Sequence, residues 1–362
     1  MTTFDEARAR FPVLREKAYL NAGTFGPLAQ ATLDATAAEQ AREGAEGRSG
    51  AELFERMLER RERVREAIAA EIGAPAANVA LTSSTTSGCN LVVAGLGLGP
   101  DDEVVTTDVE HFGIVGPLVA AGARIRIARV RERPAAEALD AIRAEVTPAT
   151  RLVALSHVSW LTGQVLPIAE LREATGLPVL VDGAQSAGAI PVDATRVDWY
   201  TVSAQKWLCG PDATGALYVR DPESLRVTAP SYWAQAGYDL LAPSFEPKPG
   251  AARFDAGTIP AATLAGLEAA LAGRPDWRYE HARAVAERCR PRLAEAGFQV
   301  VTEPGQGTLV VFAVEGDPDL LVTHCHKEGV VVRALPHTRW IRASCGWWTS
   351  DEDVERLVAA LG

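Results

Sequence analysis

Between Val79 and Arg220 the chain alternates short apolar runs with amphipathic ones. Val79–Thr82, Glu103–Thr107, Arg124–Ala128, Leu152–Ser156, Val179–Asp182, Trp199–Ser203 and Gly215–Val219 have the length and apolar content of strands. Thr85–Gly95, Phe112–Ala121, Ala135–Glu145 and Ile168–Thr175, lying between them, read as helices. Such alternation predicts an α/β fold: a mostly parallel seven-stranded sheet with helices on both faces. Functional side chains are then expected at the carboxyl ends of strands.

Upstream, Gly50–Ile72 reads as one long helix, and its many Glu/Arg pairs at i,i+3 and i,i+4 suit a solvated or subunit-facing surface. Ala229–Gly250 is rich in Pro, Gly and aromatic residues without a period, and reads as a loop or hinge. Beyond it, helix-like Ala261–Ala272 and Trp277–Glu295 precede β-like Thr308–Ala313, Val330–Arg333 and Trp340–Ala343, and Asp351–Leu361 closes the chain as a helix. The expected division is an N-terminal segment at 1–20, a large domain at 21–245 and a smaller α+β domain at 246–362.

Bulk properties narrow the class. The 362 residues are 47% hydrophobic and 23% charged, an ordinary soluble composition with ample material for a core. A formal net charge of −11 argues against nucleic acid or an anionic membrane as partner. The longest apolar stretch, Leu91–Gly99, is too short to span a bilayer. The start of the chain, from Met1 to Arg8, is charged and has no apolar core of a secretion signal. Five cysteines (Cys89, Cys209, Cys289, Cys325 and Cys345) lack CxxC spacing and read as reduced thiols of a cytoplasmic protein.

Candidate chemistry gathers at strand ends. Lys206 closes the run that begins at Trp199, and Asp182 ends the run that begins at Val179. A lysine and a carboxylate so placed suit the opposite ends of pyridoxal 5'-phosphate. The amine would take the aldehyde, and the carboxylate would keep the pyridine nitrogen protonated. The hydroxyl-rich stretch from Thr82 to Ser87 follows a strand and opens an apolar helix. Alone it is more often an ordinary N-cap; with Lys206 and Asp182 downstream the balance turns to a phosphate cradle. Gln185 either carries an amide toward the ring or merely closes a turn. His111 either stacks on the ring and moves protons or is structural.

The order Asp182-Gly183-Ala184-Gln185, then Ser203-Ala204-Gln205-Lys206, then Gly210-Pro211 and Gly215-Ala216-Leu217-Tyr218-Val219, resembles the class V aminotransferase family of pyridoxal phosphate enzymes. The resemblance starts at Tyr19-Leu20-Asn21-Ala22-Gly23 and runs almost to the C-terminus. It implies that Lys206 binds the cofactor covalently, that Asp182 faces the pyridine nitrogen, that Gln185 meets the ring oxygen and that His111 stacks on the ring. It also implies a phosphate site of Thr85, Thr86, Ser203 and Gln205, the last standing where a histidine is common. Thr258 would reach the phosphate of a neighbouring subunit, which implies a homodimer with shared sites. Arg342 would clamp the substrate α-carboxylate, helped by Asn21.

Departures from the family pattern are informative. The loop Arg333–Arg339 has no thiol where desulfurases carry one, and Trp160 stands in place of an asparagine near the ring oxygen. His324-Cys325-His326 diverge on a helix and imply no metal. Among members without the loop cysteine, the chain is most similar to cystine or cysteine C–S lyases. The implied reaction is β-elimination from a sulfur amino acid, giving pyruvate, ammonia and a sulfide or persulfide, with His111 as proton donor to sulfur. Alternatives are transamination, epimerisation or desulfuration of another amino acid, and a cofactor-bearing protein without turnover.

Overall fold

A computed structural model describes residues 2–362. Seven strands form the large sheet in the spatial order Val79–Thr82, Gly215–Val219, Trp199–Ser203, Val179–Asp182, Thr150–Ser156, Glu103–Thr107 and Arg124–Ala128. Only Gly215–Val219 runs against its neighbours, so the sheet is mostly parallel, as the alternation predicts. Its central strands are apolar on both faces because helices cover both. Leu152, Val153, Leu180, Val181 and Val202 are all fully buried. The edge strand at Val79 is closed by side-chain chemistry. The buried carboxylate of Asp255 accepts the Leu81 N–H at 2.8 Å and binds Arg61 and Arg65 of the long helix Ala51–Glu71 at 2.9 Å.

Local signals explain the element ends. Ser84 caps the helix Thr85–Leu96 by accepting the Ser87 N–H, and Gly97, at φ 62°, ends it in the left-handed region. A second, antiparallel sheet joins Gln299–Val300, Leu309–Ala313, Trp340–Ser344 and Arg333–Ala334. The N-terminal strand Ala18–Tyr19 pairs with Val330–Val331, so the chain's start is stitched to its C-terminal half. No helix among the described residues is long and apolar enough to cross a membrane.

Two elements differ from expectation. Gln30–Glu46 is a helix, yet only Thr32 and Glu39 in it are buried, so it has no apolar stripe that periodicity could detect. Within Ala229–Gly250, expected as loop, Gln235–Asp239 and Ser244–Pro247 form an antiparallel hairpin. Its Tyr238, Leu240, Leu241 and Phe245 are exposed. A hairpin with no buried face lacks the in–out alternation by which strands are recognised.

Candidate active site

The carboxyl ends of the Val79, Thr150, Val179 and Trp199 strands converge on a cavity of about 260 Å³. Its walls include Thr85, Thr86, His111, Gln185, Ser203, Gln205, Lys206 and Arg342, all singled out from sequence. Ser84, Trp160, Arg333 and the Gly23–Phe25 loop complete it.

One end is the start of the helix Thr85–Leu96, where partial positive charge and hydroxyls collect. Ser203 Oγ accepts the Thr85 N–H at 3.0 Å and lies 3.2 Å from Thr85 Oγ1. Gln205 Oε1 is buried without a partner. Gly215 is required here: a Cβ on it would fall 3.0 Å from Ser84 N and 2.3 Å from Val202 O.

Lys206 stands in the middle. Burial, with the positive charges of Arg342 and Arg333, pushes its ammonium down to about 8, while Asp182 works in the opposite direction. Asp182 is 2% exposed and lies a layer beneath the wall, its Oδ1 accepting the Ala184 N–H at 2.8 Å. A Cβ on Gly113 would lie 2.7 Å from Thr86 Oγ1, 3.2 Å from His111 Nδ1 and 3.7 Å from Asp182 Oδ2, so these three groups surround one bare backbone position. His111 accepts the Gly113 N–H at Nδ1, 3.0 Å away, and meets the Trp160 ring edge-on with centroids 5.3 Å apart. Burial and Lys206 push its imidazolium down, against Asp182. Behind it Glu110 accepts from Thr107 and twice from Ser156; burial pushes this carboxyl up to about 7.

The far wall is cationic. Arg342 is 1% exposed and, among the described residues, has no carboxylate partner and no acceptor for its Nε–H; it donates to Trp160 O at 3.1 Å and to Thr24 Oγ1 at 3.3 Å. Burial and the charge of Arg333 pull its guanidinium down to about 9. Arg333 is its cross-strand partner and makes no ion pair among the described residues. A buried cation without an anion costs several kcal/mol unless a ligand supplies the charge.

Two expected residues are held by protein partners, and a third, expected to serve a neighbouring subunit, lies outside this chain's own cavity. Asn21 is not on the cavity wall: its side chain accepts from Thr24 Oγ1 at 2.8 Å, and the hydroxyl of Thr24 is what touches Arg342. Gln185 spends one N–H on Gly23 O at 2.8 Å and its oxygen on Trp207 Nε1 at 2.9 Å, leaving a single N–H for the cavity. Thr258 is exposed and outside the cavity. Gly23, Thr24 and Phe25 escaped notice because an irregular loop has no period; the hint was the pair Gly23 and Gly26. A Cβ on Gly26 would fall 2.0 Å from Lys206 O, so only glycine lets this loop close over the lysine.

The site fits pyridoxal 5'-phosphate: the helix start with its hydroxyls would take the phosphate and the buried Lys206 amine the aldehyde, with the Asp182 carboxylate and the His111 imidazole close by. All five cysteines are buried, and none lines the cavity. Between Arg333–Ala334 and Trp340–Ser344 the tight turn carries His337, not a thiol.

Comparison with known proteins agrees. The model of the aminotransferase class-V family matches residues 18–357. A probable cysteine desulfurase of Mycolicibacterium paratuberculosis is 33% identical over 317 residues, which span 80% of this chain and 45% of that relative's length. Two solved structures of C-DES are 29% identical. One, with TM-score 0.90 over 97% of this chain and 98% of its own, is a complex of this cystine C–S lyase with its reaction product cysteine persulfide. The other, with TM-score 0.91 over 98% of each chain, is a lysine-to-alanine mutant with glycine covalently linked to its pyridoxal phosphate.

Proposed function

Since the chain belongs to the aminotransferase class-V family, we propose that it is a pyridoxal-phosphate-dependent carbon–sulfur lyase that eliminates the β-sulfur of cystine or a related sulfur amino acid. One observation carries the choice among family reactions: every thiol of the chain is buried away from the cavity. A desulfurase that parks sulfur on its own cysteine needs an exposed thiolate at the substrate, and this chain offers none. The sulfur therefore leaves with the departing half of the substrate.

The bound cofactor supplies the electron sink that acidifies the substrate Cα–H and lets the β-substituent depart. Asp182 would face the ring nitrogen and favour its protonated form. Arg342 takes the α-carboxylate through its fork and so orients the Cα bond to be broken. Lys206, its proton affinity lowered by burial and two arginines, is neutral often enough near neutral pH to take the Cα proton. His111, at the mouth, donates the proton that the departing sulfur needs. Cystine and water then yield pyruvate, ammonia and cysteine persulfide, with every atom accounted for. Arg333, beside Arg342 and free of any carboxylate, suits the second carboxylate of cystine and favours the disulfide over cysteine.

We further propose a homodimer with shared sites, Thr258 reaching a neighbouring phosphate. Support comes from apolar side chains left in the open: Phe112 beside the site is 77% exposed, and Leu241 on the hairpin 98%. The decisive experiment is product analysis with purified holoenzyme and cystine. Equimolar pyruvate and cysteine persulfide, with no sulfur retained on the polypeptide by intact mass, is expected. Alanine, or a thiol-borne persulfide on the enzyme, would make it a desulfurase.

A further inference from the structure

Two neighbouring strands of the large sheet separate at their catalytic ends. Glu103–Thr107 and Thr150–Ser156 pair Glu103 with Thr150, Val104 with Leu152 and Val105 with Val153. Beyond that point each strand pairs with its other neighbour: Thr106 and Thr107 with Ile127 and Ala128, and Ala154 and Ser156 with Leu180 and Asp182. The chain leaves the first strand for Arg124–Ala128 on one side and the second for Val179–Asp182 on the other. Strands whose connections diverge in this way leave a crevice at their carboxyl ends, where the backbone ladder stops.

One side chain bridges the gap. Glu110, three residues past the first strand, accepts the Thr107 hydroxyl at 2.6 Å through Oε1. Through Oε2 it accepts the Ser156 N–H at 2.8 Å and the Ser156 hydroxyl at 2.6 Å. Thr107 and Ser156 are both buried, so little water competes for these bonds. Burial, and after it the charge of Asp182, holds the Glu110 carboxyl up at about 7. The bridge accommodates either form, because each hydroxyl can turn to give a proton or to receive one.

The groups on this side of the catalytic cavity hang from that bridge. The residue after Glu110 is His111. Four residues beyond Ser156 comes Trp160, whose ring meets the imidazole edge-on and whose carbonyl accepts from Arg342. Ser156 itself stands opposite Asp182 in the register of the sheet. Opening the crevice would therefore move His111 relative to both Trp160 and Asp182. Lys206 follows a different strand, Trp199–Ser203, and would keep its place.

Resting on the lyase reading above, we propose that Glu110 is a positioning residue of the catalytic site: its bridge across the crevice holds His111 where it hands a proton to the departing sulfur. Its work belongs to the chemical step, so removing it lowers kcat and leaves KM nearly unchanged.

The test compares two substrates of the holoenzyme that differ in the group that leaves. Sulfur departing from cystine takes a proton, whereas chloride departing from β-chloroalanine needs none. Glu110→Ala is expected to lower kcat for cystine about tenfold or more, with KM within about twofold, and to lower the initial rate on β-chloroalanine less than about threefold. Glu110→Gln, whose amide still accepts the Ser156 N–H and donates to a hydroxyl, should recover most of the loss. Ser156→Ala removes one of the three bonds and should give a smaller loss of the same kind. Visible circular dichroism of the bound cofactor should change in Glu110→Ala and return in Glu110→Gln. Equal losses on both substrates, a glutamine variant no better than alanine, or wild-type kcat in Glu110→Ala would each overturn the role of Glu110. Wild-type enzyme that eliminates from neither compound would remove the lyase reading itself, and this proposal with it.

Discussion

At the scale of residues, the proposed function has the two arginines divide the recognition. Arg342 is buried and, among the described residues, bonded only to neutral oxygens, which leaves its charge for the substrate carboxylate that the proposal assigns it. Arg342→Ala should lower kcat/KM by about a hundredfold or more for every amino acid tested, the cost of one charge-assisted fork. Arg333→Met should raise the KM for cystine about tenfold yet leave cysteine nearly unchanged, because only the disulfide has a second carboxylate. Steady-state kinetics with both substrates checks the split; equal losses would remove Arg333 from recognition. Lys206 makes a pH prediction for the cofactor-free protein. Its folded value of about 8 lies below the ordinary lysine range, so between the two the unfolded chain binds more protons. Stability contributed by this group therefore rises as pH climbs from about 8 toward 10. Urea midpoints across that range should climb in wild type and flatten in Lys206→Met. Lys206 and Asp182 were legible in sequence because each is a charged residue at the end of an apolar strand-like run, whereas Arg342 was reached only through the family resemblance. Thr24 and Trp160, which hold Arg342 through a hydroxyl and a carbonyl, were not legible as its supports, since neither contact depends on a diagnostic residue type.

At the scale of elements, the site is a set of strand ends closed by one loop. The loop from Gly23 to Gly26 touches Arg342 on one side and the Lys206 carbonyl on the other. Gly26→Ala would drive a methyl group into that carbonyl, with backbone on both sides and no flexible side chain to yield. The variant should lose about 1–3 kcal/mol of stability and release cofactor on desalting, seen as a lower melting temperature and a weaker visible band. The strands and helices of the large sheet could be read in advance because both faces are buried, which forces apolar runs. The helix Gln30–Glu46 and the hairpin at Gln235–Pro247 could not. One buries only a threonine and a glutamate, the other buries neither face, and periodicity detects only elements with a core side.

At the scale of the molecule, the second sheet is the part least visible beforehand. Arg333–Ala334 and Val330–Val331 belong to different sheets, though the sequence reads as a single run, because the first pair answers Trp340–Ser344 and the second answers Ala18–Tyr19. That division brings both ends of the chain to the site, and no local pattern encodes a partner more than three hundred residues away. The exposed apolar hairpin also belongs to this scale. Sedimentation should give a dimer, and Leu240→Asp with Leu241→Asp should shift it toward monomer while depressing turnover, if each site borrows from its neighbour. Unchanged sedimentation would free the hairpin for another partner.

The interior placement of all five sulfhydryl groups has one more effect. A catalyst that emits sulfane sulfur bathes itself in a reagent that tags any accessible thiol. If the chain releases such sulfur as proposed, it presents no thiol on its outside to tag, and the polypeptide would stay inert toward its own effluent, turnover after turnover.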